Sequence, residues 1–154
     1  MEISLKGKKV FISGAAEGIG RATAFYMLKL GAQVTICDIN EEKLSSMGKE
    51  IQTFVCDVSD SKAVDQIFKQ IENSGLDILV NNAAIQPTTS LENITEKEVS
   101  EMLTINLATP LLLIQAFSKQ KIDNGSVVNI SSIEAIRPAI NHSHYASTKA
   151  GLLN

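Results

Sequence analysis

The sequence lacks several features that would each indicate a specialised class of protein. Among its 154 residues are two cysteines, two histidines, three prolines and no tryptophan, and the formal net charge is -3. Two cysteines are too few for a disulfide framework, so we expect Cys37 and Cys56 to be buried thiols in a reducing compartment. A slightly acidic chain has no surplus of positive charge with which to bind nucleic acid.

Metal-ligand clusters and long apolar runs are also missing from the sequence. His142 and His144 flank Ser143, but no Cys or carboxylate partners follow at metal spacing, so we expect no metal and place both histidines on the substrate side or in solvent. No stretch approaches the roughly 20 apolar residues of a membrane span, and the start, MEISLK, has no secretory apolar core. We therefore expect one cytoplasmic domain over 1–154, with no membrane partner.

Segments with the apolar patterns of strands and helices alternate along the chain. Strands are expected near 8–13, 33–38, 51–56, 77–81 and 126–131, and helices near 18–30, 41–48, 60–73, 95–119 and from His144 onward. This alternation predicts an α/β fold: a Rossmann-like, doubly wound parallel sheet in three layers with about five strands. Ligands of such sheets bind beyond the carboxyl ends of the strands. Polar or glycine residues follow each predicted strand end: Gly14, Asp38, Asp57, Asn82 and Ser132.

A glycine-rich turn joins the first predicted strand to the first predicted helix. Its sequence, GAAEGIG, places glycines at 14, 18 and 20. Glycine allows the backbone to approach a pyrophosphate at the positive end of a helix, so the turn predicts a phosphate cradle. A plain turn that happens to contain three glycines is the alternative.

The second predicted strand ends at Asp38, where the ribose hydroxyls of a bound adenosine would lie. A carboxylate at this position repels an added 2′-phosphate, and Glu17 in the glycine turn acts in the same direction. Both residues predict a preference for NAD over NADP. For Asp38, an ordinary acidic residue at the start of a helix is the alternative.

Tyr145 and Lys149 stand four positions apart in the last predicted helix, which puts both side chains on one face. A neighbouring ammonium favours the phenolate form of a tyrosine, as a general acid or base requires. The alternative is a packed ring and a solvated charge, which many amphipathic helices contain.

Taken together, these motifs resemble those of the short-chain dehydrogenase/reductase family, standard non-extended type, from Leu5 to Asn154. SGAAEGIG resembles the family's T-G-x-x-x-G-x-G, and NNAA at 81–84 resembles its N-N-A-G with Ala84 in the glycine place. Asp57-Val58 matches an adenine-contacting pair, and Ser132, Tyr145 and Lys149 match the catalytic residues. The resemblance implies hydride transfer between a nicotinamide cofactor and a small carbonyl or secondary alcohol.

The resemblance also implies a role for each matching residue. Catalytic roles fall to Asn106, Ser132, Tyr145 and Lys149. Cofactor contacts fall to Gly14, Glu17, Gly18, Ile19, Gly20, Asp38, Ile39, Asp57, Val58, Asn82, Ala83, Tyr145 and Lys149. The segment Ile133 to Ser143 would form a mixed apolar and cationic wall beside the substrate, and a homo-oligomer is possible.

Pro110 adds an expectation about Asn106. Proline has no backbone N–H, so the carbonyl of Asn106 loses its helical donor. Either the helix kinks there, or it ends near Ala108 and a second helix begins at Thr109. Both alternatives free the carbonyl, which in the family holds a water that links the lysine to solvent.

Family members continue through further strands that this chain lacks. The segment 126–131 would therefore be a sheet edge, with Val127, Val128 and Ile130 partly uncovered. We therefore expect a truncated fragment of a longer reductase, or else a shortened protein whose edge another chain covers. A catalytically incompetent fragment that at most binds NAD, or a scaffold that associates through this edge, is the alternative to an enzyme.

Overall fold

A computed structural model of the chain describes residues 3–72, 75–120 and 124–153. Its sheet has five parallel strands in the order β3-β2-β1-β4-β5. The strands are β1 (Lys9–Ser13), β2 (Gln33–Asp38), β3 (Gln52–Val55), β4 (Ile78–Asn81) and β5 (Ser126–Asn129). The predicted fold class is confirmed, because the chain leaves β1 first toward β2 and later toward β4.

Six helices connect and cover the strands in the described part of the chain. They are α1 (Gly18–Lys29), α2 (Glu41–Ser45), α3 (Ser61–Glu72), α4 (Glu96–Leu103), α5 (Thr109–Ser118) and α6 (Ser143–Gly151). Short 3₁₀ turns occupy Leu91–Asn93 and Ile133–Ala135. The second helix is shorter than predicted because Met47 turns into the core and Gly48 adopts a φ of 82°, which ends a helix.

Two hydrophobic cores lie on opposite faces of the sheet because side chains alternate along each strand. In β1, Val10 and Ile12 belong to one core and Phe11 to the other. The first core includes Ala24 of α1, whereas the second includes Phe68 of α3, whose ring meets Phe11 edge-on at 5.4 Å. Burial on both faces explains why the central strands are continuously apolar.

The helix that carries Pro110 changes its winding instead of ending. The path from Glu96 to Ser118 is continuously helical, and Thr104–Ala108 is a π-helical turn between α4 and α5. The alternative in which the helix ends near Ala108 is therefore wrong. Proline supplies no donor to the turn before it, and a π turn accommodates such a gap. Whether the Asn106 carbonyl is free stays a prediction.

The expectation that no stretch approaches a membrane span needs correction, because this helix, Glu96–Ser118, is long and apolar enough to cross a membrane by length and composition alone. In the fold, α5 packs against β4 and α3, so it covers the sheet.

β5 pairs with β4 alone and forms one edge of the described sheet. Val127 and Val128 are 39% and 43% exposed there, as predicted.

Candidate active site

The loops that follow β1 and β4 are bonded into one unit at the point where the chain reverses direction across the sheet. The hydroxyl oxygen of Ser13 accepts hydrogen bonds from the backbone N–H groups of Asn82 (3.1 Å) and Ala83 (3.2 Å). In return, the Asn82 side-chain amide donates to the carbonyls of Ser13 (3.1 Å) and Gly14 (2.6 Å). The glycine turn is thus fixed before any ligand binds.

Two of the three glycines in this turn are required by close contact. A Cβ at Gly14 would lie 2.6 Å from the Cα of Ala83, and Gly14 also has a φ of 62°. A Cβ at Gly20 would lie 2.5 Å from the Asn82 side-chain nitrogen. These distances fall well inside van der Waals contact, so a side chain would displace the turn. The narrow approach of bare backbone fits the cradle that a pyrophosphate needs.

A cleft of about 420 Å³ opens beside this unit. Many of the predicted cofactor residues line it: Gly14, Glu17, Asp38, Ile39, Asp57, Val58, Asn82 and Ala83. The other predicted residues of the glycine turn, Gly18, Ile19 and Gly20, open α1. Sequence reasoning missed five further lining residues: Asn40, Cys56, Ala84, Ile85 and Ile105. Ile85 and Ile105 belong to no motif, and only the topology brings them to the cleft.

Backbone donors orient the Asp38 carboxylate in this cleft. One oxygen accepts from the N–H of Ala16 and the other from the N–H of Asn40, both at 3.0 Å. Because Ala16 belongs to the glycine turn, Asp38 joins the end of β2 to that turn. The carboxylate therefore has a fixed direction at the cleft, as recognition of a ribose requires.

Sequence reasoning missed a cation that pairs with Glu17, a residue of the cleft lining. The ammonium of Lys43, on α2, pairs with the Glu17 carboxylate across 26 positions of sequence. Both side chains are largely exposed. Glu17 was expected to oppose a 2′-phosphate; its carboxylate is paired with a positive charge, and the expected preference for NAD stays a prediction.

The two cysteines meet where β2 and β3 end. Both are free thiols and both are buried, as predicted. A hydrogen bond between them, together with burial, raises the pKa of Cys37 well above its ordinary value, whereas the same bond lowers the pKa of Cys56. Cys56 also lines the cleft.

Tyr145 and Lys149 lie one turn apart on the buried side of α6. Tyr145 is 8% exposed and Lys149 is 3% exposed, and the ammonium lies 5.9 Å from the centroid of the phenol ring. The ammonium donates a 2.8 Å hydrogen bond to the carbonyl of Ile130. Burial lowers the pKa of Lys149. The reading of Lys149 as a solvated charge is therefore wrong.

Ser132 begins the 3₁₀ turn Ile133–Ala135, which packs against α6. Its hydroxyl oxygen accepts a hydrogen bond from the backbone N–H of Glu134 at 3.1 Å. This bond uses a lone pair and leaves the hydroxyl hydrogen available for donation to another group.

The Asn106 side chain is completely buried and links three segments. Its oxygen accepts from the N–H of Ile85, and its nitrogen donates to the carbonyl of the same residue, both at 2.9 Å. The nitrogen also reaches the hydroxyl of Thr148 on α6 at 3.3 Å. The π turn, the loop after β4 and α6 thus meet at Asn106, so the segments that carry the predicted catalytic residues adjoin.

One expectation for this region needs correction. His144 is buried and its Nε2 lies 2.9 Å from a Glu98 carboxylate oxygen, so it is not a solvent residue; the position of Glu98, 46 residues earlier, gave no signal. Ala84 occupies the place where the family has glycine. Among the described residues other than glycine, only Asn141 has a positive φ, so Ala84 fits without strain.

Comparison with protein families supplies the decisive observation: residues 8–154 match the family model described as short chain dehydrogenase. The chain belongs to the short chain dehydrogenase family. It is 36% identical to a 3-oxoacyl-(acyl-carrier-protein) reductase FabG of Rickettsia conorii, covering 98% of this chain and 64% of the relative. It is 35% identical to an L-xylulose reductase of Caenorhabditis elegans, covering 94% and 61%.

Solved structures of the family agree with the fold. A short chain dehydrogenase from Mycobacterium smegmatis superposes with a TM-score of 0.92 at 33% identity, covering 99% of this chain and 69% of that one. An NAD⁺-bound xylitol dehydrogenase superposes with a TM-score of 0.90 at 25% identity, covering 97% and 62%. The chain spans somewhat less than two thirds of the length of the curated relatives it matches. NAD(P)-dependent oxidoreduction is the chemistry common to the family.

Proposed function

We propose that this chain contains the cofactor cleft and the catalytic residues of an NAD-dependent oxidoreductase that interconverts a carbonyl and a secondary alcohol. The observation that carries the proposal is the burial of an ammonium, Lys149, and a phenol, Tyr145, on one side of α6, in a chain whose glycine turn has no room for a side chain at Gly14 or Gly20. Two of the relatives are named as reductases, one of a 3-oxoacyl group and one of L-xylulose. Both names support a carbonyl as the substrate class.

The residues of the chain divide the chemistry among them. A bound nicotinamide would accept or supply the hydride. Tyr145 donates the proton to the oxygen in reduction and removes it in oxidation. Lys149 supports the negative phenolate by its charge, and Ser132 donates its free hydroxyl hydrogen to the substrate oxygen. Asn106 holds the loop after β4 against α6.

The preference for NAD rests on the charges at the ribose end of the cleft. Asp38 and Glu17 carry two negative charges there, and Lys43 carries one positive charge that Glu17 neutralises. An added 2′-phosphate would thus meet net negative charge. The remaining predicted contacts to the cofactor are Gly14, Gly18, Ile19, Gly20, Ile39, Asp57, Val58, Asn82 and Ala83.

Titration with NAD, followed by NADH oxidation with a panel of ketones and hydroxyketones, tests the proposal. We expect saturable NAD binding, NADH consumption with at least one carbonyl, and loss of that consumption in Tyr145→Phe without loss of NAD binding. Absence of saturable binding in the folded parent protein rejects the proposed function.

An NAD-binding module without turnover is the second candidate, because the cleft is lined by predicted cofactor contacts and by none of the residues predicted to be catalytic. NAD binding with no oxidation of NADH by any carbonyl favours it.

The exposed Leu111 and Leu112 of α5 are compatible with a homo-oligomer, which sedimentation velocity measures directly.

A further inference from the structure

Two histidines on either side of Ser143 each bind a glutamate from a different part of the fold. His142 Nδ1 lies 3.0 Å from Glu134 Oε2, in the 3₁₀ turn after β5. His144 Nε2 lies 2.9 Å from Glu98 Oε1, on α4. The four side chains are between 5% and 20% exposed, so water competes little with either pair.

The hydrogen positions in these pairs follow from the partners. A carboxylate only accepts, so His142 Nδ1 and His144 Nε2 carry the donated hydrogens. In the neutral ring, His142 Nε2 is then an acceptor, and the Thr88 hydroxyl lies 2.9 Å from it. The Gln86 amide donates to Glu134 at 3.0 Å. Both members of the pair His142–Glu134 therefore have a further hydrogen-bond partner.

Three residues that bond the pairs, Gln86, Thr88 and Thr89, come from one segment between β4 and α4, residues 85–89, which we call the cleft wall. The hydroxyl of Thr89 donates to the Glu98 carboxylate, and this bond is the main reason that the pKa of Glu98 is lowered. The Thr89 N–H donates to the Asn141 carbonyl at 3.1 Å. Asn106 holds Ile85 at the other end of the wall.

Tyr145 lies in the first turn of α6, where helices are weakest. This helix has nine residues, and the residue that precedes it, His142, makes no side-chain capping bond. The His142 ring instead meets the Tyr145 ring edge-on at 6.2 Å between centroids. The two pairs therefore supply the restraint that a cap would normally give.

We propose that the pairs His142–Glu134 and His144–Glu98 are positioning residues that clamp the first turn of α6 to the cleft wall and so fix the phenol of Tyr145. The effect of this clamp on catalysis rests on the proposed function, whereas the clamp itself is a property of the folded chain.

Intrinsic fluorescence measures the clamp directly. The chain has no tryptophan and two tyrosines, and Tyr26 is 60% exposed, so Tyr26→Phe leaves Tyr145 as the reporting tyrosine. In that background we expect acrylamide to quench Tyr145 weakly, and Glu98→Ala or His142→Ala to raise the quenching constant several-fold. Glu101→Ala is the matched control on the same helix, because its carboxylate is exposed and pairs only loosely with Lys97 at 3.6 Å.

Conservative variants separate positioning from a general loss of structure. Glu98→Gln keeps an acceptor for His144 and should restore weak quenching. Thr88→Val removes a single hydroxyl from an exposed residue and should raise quenching without unfolding, which far-UV circular dichroism checks. Unchanged quenching in Glu98→Ala, His142→Ala and Thr88→Val, or an equal rise in Glu101→Ala, overturns the proposal. If the alanine variants unfold, Thr88→Val and Glu98→Gln decide it.

The same proteins separate the clamp from the proposed function. We expect NAD affinity to be unchanged in the clamp variants, since none of the altered residues lines the ribose end of the cleft, and kcat with a carbonyl to fall. Failure of the parent to bind NAD removes the proposed function but leaves the quenching comparison intact. An altered NAD affinity together with unaltered quenching would contradict the clamp and leave the proposed function standing.

Discussion

Lys149 and Ile130 are joined by a 2.8 Å hydrogen bond from the ammonium to the carbonyl that directly follows β5. A second bond runs in the opposite sense, from the Ser131 hydroxyl to the Lys149 carbonyl at 3.0 Å. The end of β5 and α6 are therefore locked together at the residue proposed to assist the phenol. The lock has a cost, because it holds a charge away from water.

Replacement of Lys149 should separate stability from activity. Burial lowers the pKa of Lys149, so its charged form costs stability below the folded pKa, and this cost disappears as pH rises past the unfolded value of about 10.4. Relative to the parent, Lys149→Met should therefore lose stability as pH rises from 7 to 10.5, measured by urea unfolding. Its NADH-linked rate at pH 7 should fall by about 10²-fold or more.

Lys149→Arg is the matched control, because it keeps a charge but cannot lose it in this pH range. A stability difference between Lys149→Met and the parent that is constant with pH would contradict the buried-charge explanation. Full activity in Lys149→Met would contradict the role assigned to the ammonium.

Asp77 should make folding sensitive to acid. Its carboxylate accepts from the Lys8 ammonium at 2.8 Å and from the Lys9 N–H at 2.9 Å, and the Lys8 bond is the main cause of its lowered pKa. An acid with a lowered folded pKa stabilises the fold above its unfolded pKa, and this contribution is lost as pH falls through the folded pKa. Asp77→Asn should therefore cost about 1 kcal/mol at pH 7 and nearly nothing in strong acid.

Urea unfolding of the Asp77 variant at pH 7 and pH 2.5 measures this change. Asp65→Asn, an exposed carboxylate on α3, serves as the control and should alter neither value appreciably. An equal loss of stability at both pH values would show that shape, and not charge, accounts for the effect of Asp77.

The contact at Gly20 predicts a sharp difference between two helical glycines. Gly20→Ala would place its Cβ 2.5 Å from the Asn82 amide and 2.6 Å from the Gly14 carbonyl. We expect it to lower the free energy of unfolding by about 2 kcal/mol and to abolish NAD binding. Gly151→Ala meets only a flexible Leu107 side chain at 3.3 Å and gains helix propensity, so it should change stability by less than about 1 kcal/mol.

Thermal unfolding and NAD titration of both glycine variants provide the measurement. Normal NAD affinity in Gly20→Ala would show that the glycine turn can yield without loss of the cradle.

The Glu17–Lys43 pair predicts a switch of cofactor preference. Glu17→Gln removes one negative charge and releases the Lys43 ammonium toward a 2′-phosphate. Affinity for NADP relative to NAD should rise by about tenfold, which corresponds to about 1.4 kcal/mol. Parallel titrations with both dinucleotides measure the ratio at fixed salt concentration, because exposed charges are screened.

Removal of Lys43 supplies the control for this switch. In a Glu17→Gln, Lys43→Gln double variant the gain in NADP affinity should disappear. A gain that persists would assign the effect to Glu17 alone, and no gain in the single variant would leave Asp38 as the residue that decides between the cofactors.

The parts of the site that sequence could predict are those set by strand ends. Gly14 and Asn82 each follow a strand and Asp38 ends one, and parallel strands bring their carboxyl ends to one edge, so their meeting follows from topology. His144 and Glu98 are 46 residues apart with no repeating pattern between them, so only the folded chain reveals the pair. The π turn was missed for a related reason: Pro110 signals a disturbed helix but does not specify how the helix adjusts.

The strand order also bears on how the chain acquires its shape during synthesis. β1, the first strand made, lies in the middle; β2 and β3 extend one side in succession, then β4 and β5 extend the other. Each strand that leaves the ribosome after the first therefore finds a finished neighbour to join. The gap between β1 and β4, where the glycine turn meets Asn82, is complete before Tyr145 has been translated. The proposed dinucleotide cradle is therefore encoded before the proposed catalytic tyrosine is reached in translation.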